Sequence, residues 1–284
     1  AKKRPTISPM EYTHNIDAAA YGVLIIPCLL DNFAYVVYDK AAMVGAAVDP
    51  VEPRKVLAAA AAAGVDVQIV LTTHSHSDHD GGNVEIGAAL PGVPIVGGIG
   101  DGVAGVTREV VDGEDIAIGA LRATVIATPC HTSGHVCYFI RDAGSSAAAP
   151  VVFTGDTLFV SGAGNFNTGT PAQMDAAFQK LAALDPATLV FCGHEYTARN
   201  LAWAAALEPA NATLAAKREW LKATLAAGGH SVPSTIGEER AANPFMHASL
   251  GDARIRAAMG AASPTTAEAM GWTRRHKDEW GRAH

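Results

Sequence analysis

Three histidines and one aspartate fall within six positions of the segment Thr73-His74-Ser75-His76-Ser77-Asp78-His79-Asp80-Gly81-Gly82-Asn83. Imidazole and carboxylate are ligands that suit zinc, iron or manganese. In an extended stretch residues i and i+2 face the same way, so His74 and His76 can address one ion. A turn after them would swing Asp78 and His79 toward a second point. A solvated loop is a poor account of the segment, because loops favour Asn, Asp and Ser over clustered His. Further candidates follow apolar runs at Gly- or Pro-containing turns: His131 in Thr128-Pro129-Cys130-His131, Asp156 in Thr154-Gly155-Asp156-Thr157, and His194 in Gly193-His194-Glu195. Strand ends are where an α/β sheet presents its ligand groups.

The elements that must position these side chains are short. Apolar runs at 23–26, 33–38 and 44–48 read as an opening meander of strands, and 53–63 as a helix with Pro53 in its first turn and Gly64 as its stop. Runs at 67–72, 93–96, 115–118, 123–127, 136–140, 151–153 and 189–192 read as further strands, with a helix over 172–184. After His194 the pattern turns Ala/Leu-rich with helical spacing, over 197–207 and 210–227. Thr235-Ile236-Gly237-Glu238 fits a capping box, and 266–280 carries the basic cluster Arg274-Arg275-His276-Lys277. The expected organisation is a β-rich α/β body over 1–195 and a helical segment over 196–284.

Composition narrows the function. The 284 residues are 49% hydrophobic and 17% charged, which excludes a disordered chain, and the formal net charge of −7 argues against a nucleic-acid backbone as partner. A spanning helix needs about 20 apolar residues, and the longest strongly apolar stretch, 21–30, is broken by Pro27. Cys28, Cys130, Cys137 and Cys192 lack CxxC spacing and read as free buried thiols. The opening Ala1-Lys2-Lys3-Arg4-Pro5 has no apolar signal core. A cytoplasmic location is expected, or a mitochondrial or other organellar one after removal of a transit peptide.

The stretches THSHSDHDGGN (73–83), TPCHTSGHVCYF (128–139), FTGDTLFVSGAG (153–164), CGHEYT (192–197), VPSTIGEE (232–239) and NPF (243–245) resemble glyoxalase II, the hydroxyacylglutathione hydrolase branch of the metallo-β-lactamase superfamily. The resemblance covers nearly the whole chain. It implies an αββα sandwich with a C-terminal helical domain. It also implies two divalent ions, zinc above iron or manganese, one held by His74, His76 and His131 and the other by Asp78, His79 and His194. Asp156 would bridge both, and Asp78 would also orient the nucleophile. His135 is no ligand of the family and is expected to support the site from behind. The implied reaction is hydrolysis of S-D-lactoylglutathione to D-lactate and glutathione by a monomeric enzyme.

The substrate residues depart from the family pattern. Tyr196, Arg274 and Lys277 match positions that bind the glutathione moiety, whereas Asn165 and Asn167 stand where the family carries Lys and Tyr. Neutral amides in place of a cation and a phenol imply weaker ground-state binding, hence a raised KM with kcat retained. Competing readings are a mononuclear-iron persulfide dioxygenase, a β-lactamase or lactonase, a thioesterase for another thiol carrier, and a catalytically weak interaction protein.

Overall fold

The structure is a computed structural model that describes residues 14–18, 20–144 and 148–283. The opening residues 1–5, read above for a signal core, lie outside the described residues.

The first half of the body is a seven-stranded sheet in the order β1 (His14–Asp17), β2 (Tyr21–Cys28), β3 (Asn32–Asp39), β4 (Val44–Val48), β5 (Asp66–Leu71), β6 (Ile95–Gly98) and β7 (Arg108–Val110). It is antiparallel up to β4 and parallel from there on. The parallel part needs crossovers, supplied by α1 (Pro53–Ala62) and by α2 (Ser77–Asp80) with α3 (Asn83–Ala89). The second sheet is built from β8 (Asp115–Ile118), β9 (Leu121–Ala127), β10 (Val136–Asp142) and β11 (Val151–Gly155). Then come the hairpin β12 (Leu158–Phe159) and β13 (Gly162–Ala163), α4 (Pro171–Ala182) and β14 (Leu189–Cys192). Helices α5 (Thr197–Leu207) and α6 (Ala212–Ala226), strand β15 (Ser234–Thr235) and helices α7 (Ile236–Ala242), α8 (Pro244–Ser249), α9 (Ala253–Met259) and α10 (Thr266–Ala283) complete the chain. The second sheet runs β15-β14-β11-β10-β9-β8.

Period-two alternation decides which layer each side chain enters. On β2, Val23 and Ile25 enter the core between the sheets, while Leu24 and Ile26 face Val56 and Ala60 of α1 and Ile86 of α3. On β10, Val136, Tyr138 and Ile140 enter the same inter-sheet core, while Cys137 faces Met174, Phe178 and Leu181 of α4. The result is the expected αββα sandwich. The tail joins the second outer layer: Trp203, Leu221, Ile236, Phe245 and Met270 share one apolar cluster with α4. All four cysteines are free and buried, as expected.

Two tyrosines tie the sheets together at the edge that carries the histidines. Tyr35 of β3 donates to Cys192 O at 2.5 Å, and Tyr138 of β10 donates to Thr72 O at 2.8 Å. Each sheet thus pins the strand end from which the other sheet launches a histidine.

Several elements differ from the sequence reading. The turn after His76 is the helical turn α2, and β1, β7, β15, α3, α8 and α9 were not expected. These pieces are too short for periodicity to register. The capping box at Thr235 is half formed. Thr235 Oγ1 accepts from Glu238 N at 3.1 Å, but the Glu238 carboxylate goes to Lys217 Nζ at 3.1 Å.

The neighbouring Glu239 is fully buried and holds the β12–β13 hairpin. It accepts from Ser161 N at 2.7 Å and Asn243 Nδ2 at 2.9 Å, while Asn243 Nδ2 also reaches Gly162 O. Ser161 has φ of 55°, a left-handed conformation that needs such outside support. Burial opposes a charge on Lys217, yet Glu239 and Glu238 keep its ammonium charged to above the usual pH. Glu239→Ala should cost about 3 kcal/mol in urea denaturation, because buried donors lose their acceptor, and exposed Glu238→Ala under ~1 kcal/mol. Equal costs would show that the buried carboxylate does not support the hairpin.

Candidate metal centre

The polar groups sit at one edge of the sandwich, on the loops that leave β5, β9, β11 and β14. His74 leaves β5 in an extended stretch, and α2 then turns the chain so that Asp78 and His79 come back beside it. The side chains converge as two overlapping groups. His74, His76 and His131 form one, Asp78, His79 and His194 the other, with His74, His79 and Asp156 between them; ligand atoms in each group lie within 4.8 Å of one another. Asp156 reaches both sides, with Oδ2 at 3.3 Å from His131 Nε2 and 3.5 Å from His194 Nε2, and Oδ1 at 3.3 Å from His79 Nε2.

The outer ring nitrogens settle which atoms face inward. His131 Nδ1 donates to Asn165 O at 3.0 Å, His79 Nδ1 to Asp49 Oδ2 at 3.0 Å, and His194 Nδ1 to Asp31 Oδ1 at 2.8 Å. Those oxygens only accept, so each Nδ1 holds a proton and each Nε2 is turned to the centre. Thr73 Oγ1 gives its proton to Asp49 at 2.7 Å and therefore accepts from His74 Nδ1 at 3.0 Å. His74 Nε2 and His131 Nε2 both lie 3.0 Å from His76 Nδ1. One shared proton cannot satisfy three nitrogens at that spacing.

Electrostatics splits the two groups. Burial and the nearby His79 hold His74 well below the ordinary histidine range. Burial also opposes charge on His194, but hydrogen bonds to Asp156 and Asp78 raise it to about 10. Asp78 is held below the usual carboxylate range, chiefly by the His194 hydrogen bond. Asp156 Oδ1 is nonetheless buried without a hydrogen-bond partner. Inward ring nitrogens, an orphaned carboxylate oxygen and a mixed N/O donor set fit divalent ions.

Residues the sequence reading missed hold this cluster in place. Asp49 bonds Thr73 N, Thr73 Oγ1 and His79 at once, and Asn32 Nδ2 donates to Asp78 Oδ2 at 3.1 Å. Asp101 accepts from Ser75 N at 2.8 Å, Thr132 Oγ1 at 2.9 Å and Gly134 N at 2.6 Å, clamping the loops of His74 and His131 to each other. Asp49 follows the apolar run of β4 just as Asp156 follows β11, a signal that was available; Asp101 lies in a turn with no such mark. His135 supports the site from behind, as expected: Nε2 accepts from Asp156 N at 3.1 Å, and Nδ1 lies 2.9 and 3.1 Å from the Thr128 and Thr157 hydroxyls. Gly193 is needed for close approach, since a Cβ there would sit 2.5 Å from Asp156 Oδ1 and 2.7 Å from His79 Cε1.

A cavity of about 600 Å³ opens from this cluster toward the helical tail. His76, Asp78, His131, Asp156 and His194 line its floor, and Asn165, Tyr196, Arg274 and Lys277 its walls. Tyr196 stacks on His194 with ring centroids 4.6 Å apart and an angle of 6°, and burial pushes its hydroxyl up to about 12, so it stays a donor. Asn165 lines the cavity, and Asn167, exposed like Asn165, is not among its lining residues. Of the basic cluster, Arg275 lines a different cavity, and His276 Nδ1 accepts from Trp203 Nε1 at 3.1 Å. Helical spacing explains this, since only residues three apart, Arg274 and Lys277, share a face.

Asp101→Ala should lower stability by about 2 kcal/mol and weaken divalent-metal affinity ~10–100-fold, because both histidine loops lose their common acceptor. Thermal denaturation with metal titration reads both, and unchanged affinity would show that the clamp does not set the ligand geometry.

Residues 30–194 match the family model described as "Metallo-beta-lactamase superfamily", and residues 195–280 match "Hydroxyacylglutathione hydrolase C-terminus". The chain is 40% identical over 257 residues to "Hydroxyacylglutathione hydrolase cytoplasmic" of Arabidopsis thaliana, and 42% identical over 257 residues to "Hydroxyacylglutathione hydrolase" of Rhodospirillum rubrum. Each alignment covers 90% of this chain and 97% of the relative. Among solved structures it resembles ETHE1 from Myxococcus xanthus, with a TM-score of 0.58, 24% identity, and coverage of 86% of this chain and 93% of that one. The last likeness speaks to the fold alone. Matched along both its sandwich and its helical tail, the chain belongs to the hydroxyacylglutathione hydrolase family of the metallo-β-lactamase superfamily.

Proposed function

We propose that this protein is a metal-dependent thioester hydrolase that converts S-D-lactoylglutathione, and related 2-hydroxyacyl-glutathione thioesters, to the 2-hydroxy acid and glutathione. The observation that carries the reading is the cavity itself. Its floor is a metal-competent donor cluster, and its far wall is cationic where a carrier with two carboxylates would lie. The relatives' names supply the substrate class.

In this reading His74, His76 and His131 would hold one divalent ion, Asp78, His79 and His194 would hold a second, and Asp156 would serve both. Such ions supply hydroxide near neutral pH and positive charge for a developing oxyanion. The chain's own part is to place the substrate. Tyr196 keeps its phenolic proton and offers a donor beside His194. Arg274 and Lys277, on one face of α10, offer charge to the glutathione carboxylates. The short Asn165 side chain offers only a neutral amide there. A thiolate is a good leaving group, so no buried acid is required opposite the floor. Residues 1–195 would thus carry the metals and residues 196–284 most of the contacts to the carrier. No helix among the described residues is long and apolar enough to cross a membrane.

Metal analysis of the purified protein should find close to two ions per chain, and chelation should abolish turnover of S-D-lactoylglutathione reversibly. Asp156→Ala should lose more metal and more activity than His194→Ala, since only the former touches both groups. One tightly held iron, with oxygen consumed on glutathione persulfide, would contradict the hydrolase reading.

A further inference from the structure

Where α5 meets α10, the cavity is lined by four cations, Arg199, Arg274, Lys277 and Arg282, and by one carboxylate of the helical tail, Asp278. The cations are not equally free. Arg274 is 9% exposed; it donates to Ala163 O at 3.2 Å and Asp278 Oδ1 at 2.5 Å and lies 5.5 Å from the centre of the Phe245 ring. Lys277 Nζ donates to Asn200 Oδ1 at 2.6 Å and sits over Trp203 at 5.4 Å. Both already have partners within the protein and keep only their remaining donors for a ligand.

Arg199 differs. It is exposed, lies in the first turn of α5 three residues after Tyr196, and has one long hydrogen bond, from Nη2 to Gly281 O at 3.4 Å. A guanidinium has five N–H donors, so most of these remain for a ligand. Gly281 makes room for it, since a Cβ there would come within 3.0 Å of Nη2. Its charge is felt nearby: burial first, and then Arg199 among the neighbouring charges, lowers both Arg274 and Lys277 from their ordinary values. Four cations against one carboxylate of the helical tail call for an anion.

We infer that Arg199 is a specificity-determining residue of this site, its guanidinium taking a carboxylate of the substrate's thiol carrier. The inference rests on the glutathione-thioester reading above and deepens it. A planar fork matches a carboxylate with two parallel hydrogen bonds, which the neutral Asn165 amide in the same cavity cannot do. Arg199 touches the carrier rather than the thioester, so it contributes to binding and not to the chemical step.

The test uses metal-loaded enzyme with S-D-lactoylglutathione and with the lactoyl thioester of an uncharged thiol, together with calorimetric titration of glutathione. Arg199→Ala should raise KM for the glutathione thioester about tenfold with kcat retained, and weaken glutathione binding by the same factor. The preference for the charged over the uncharged thioester, as a ratio of kcat/KM, should fall about tenfold, and Arg199→Lys should recover part of it. Unchanged KM and glutathione affinity in Arg199→Ala, with the parent enzyme active on lactoylglutathione, overturns the inference and leaves the function standing. Failure of the metal-loaded parent enzyme to hydrolyse glutathione thioesters overturns the function and the inference together.

Discussion

Buried and half-buried imidazoles held nitrogen to nitrogen are the constraint on which the rest of this structure depends. His76 Nδ1 has ring nitrogens of His74 and His131 each at 3.0 Å, and His79 and His194 meet at 3.3 Å between their Nε2 atoms. Protons can relieve only some of these contacts, and burial makes protonating His74 costly. Such an arrangement persists only if the surrounding protein fixes each ring from outside. Here Asp31, Asp49, Thr73 and the Asn165 carbonyl do so through the outer nitrogens. Divalent cations would resolve the same contacts by accepting the inward lone pairs.

The sandwich exists in a form that serves this edge. Its two sheets bury their facing residues against each other and send their strand ends to one side. The tyrosine cross-links from Tyr35 and Tyr138 bind the launching points of His194 and His74 to the opposite sheet. The helical tail adds Arg199, Arg274, Lys277 and Arg282 to the lining of the cavity that opens from this cluster. The Glu239 network joins the two parts, because one buried carboxylate of the tail holds the hairpin whose Phe159 and Ala163 line the cavity.

How far this was legible in the sequence follows from the range of the interactions. The His74–His79 cluster is local, and its residue types alone point to metal. His131, Asp156 and His194 are far apart in the chain, but each follows an apolar run, so strand periodicity marks them. Asp31 is 163 positions from the His194 it orients, and no local pattern ties them. The basic run near the C-terminus shows the same limit, since a helix sorts four consecutive residues onto different faces, and only Arg274 and Lys277 reach the cavity. Arg199 left no mark at all, being one exposed arginine on an amphipathic helix until α10 packs beside it.

The central claim is that two ions share Asp156. Anomalous diffraction from crystals grown with a divalent transition metal tests it most directly. The account predicts two peaks, one among His74, His76 and His131 and one among Asp78, His79 and His194, with the Asp156 carboxylate contacting both. A single peak at saturating metal, or two peaks of which Asp156 touches only one, would contradict it.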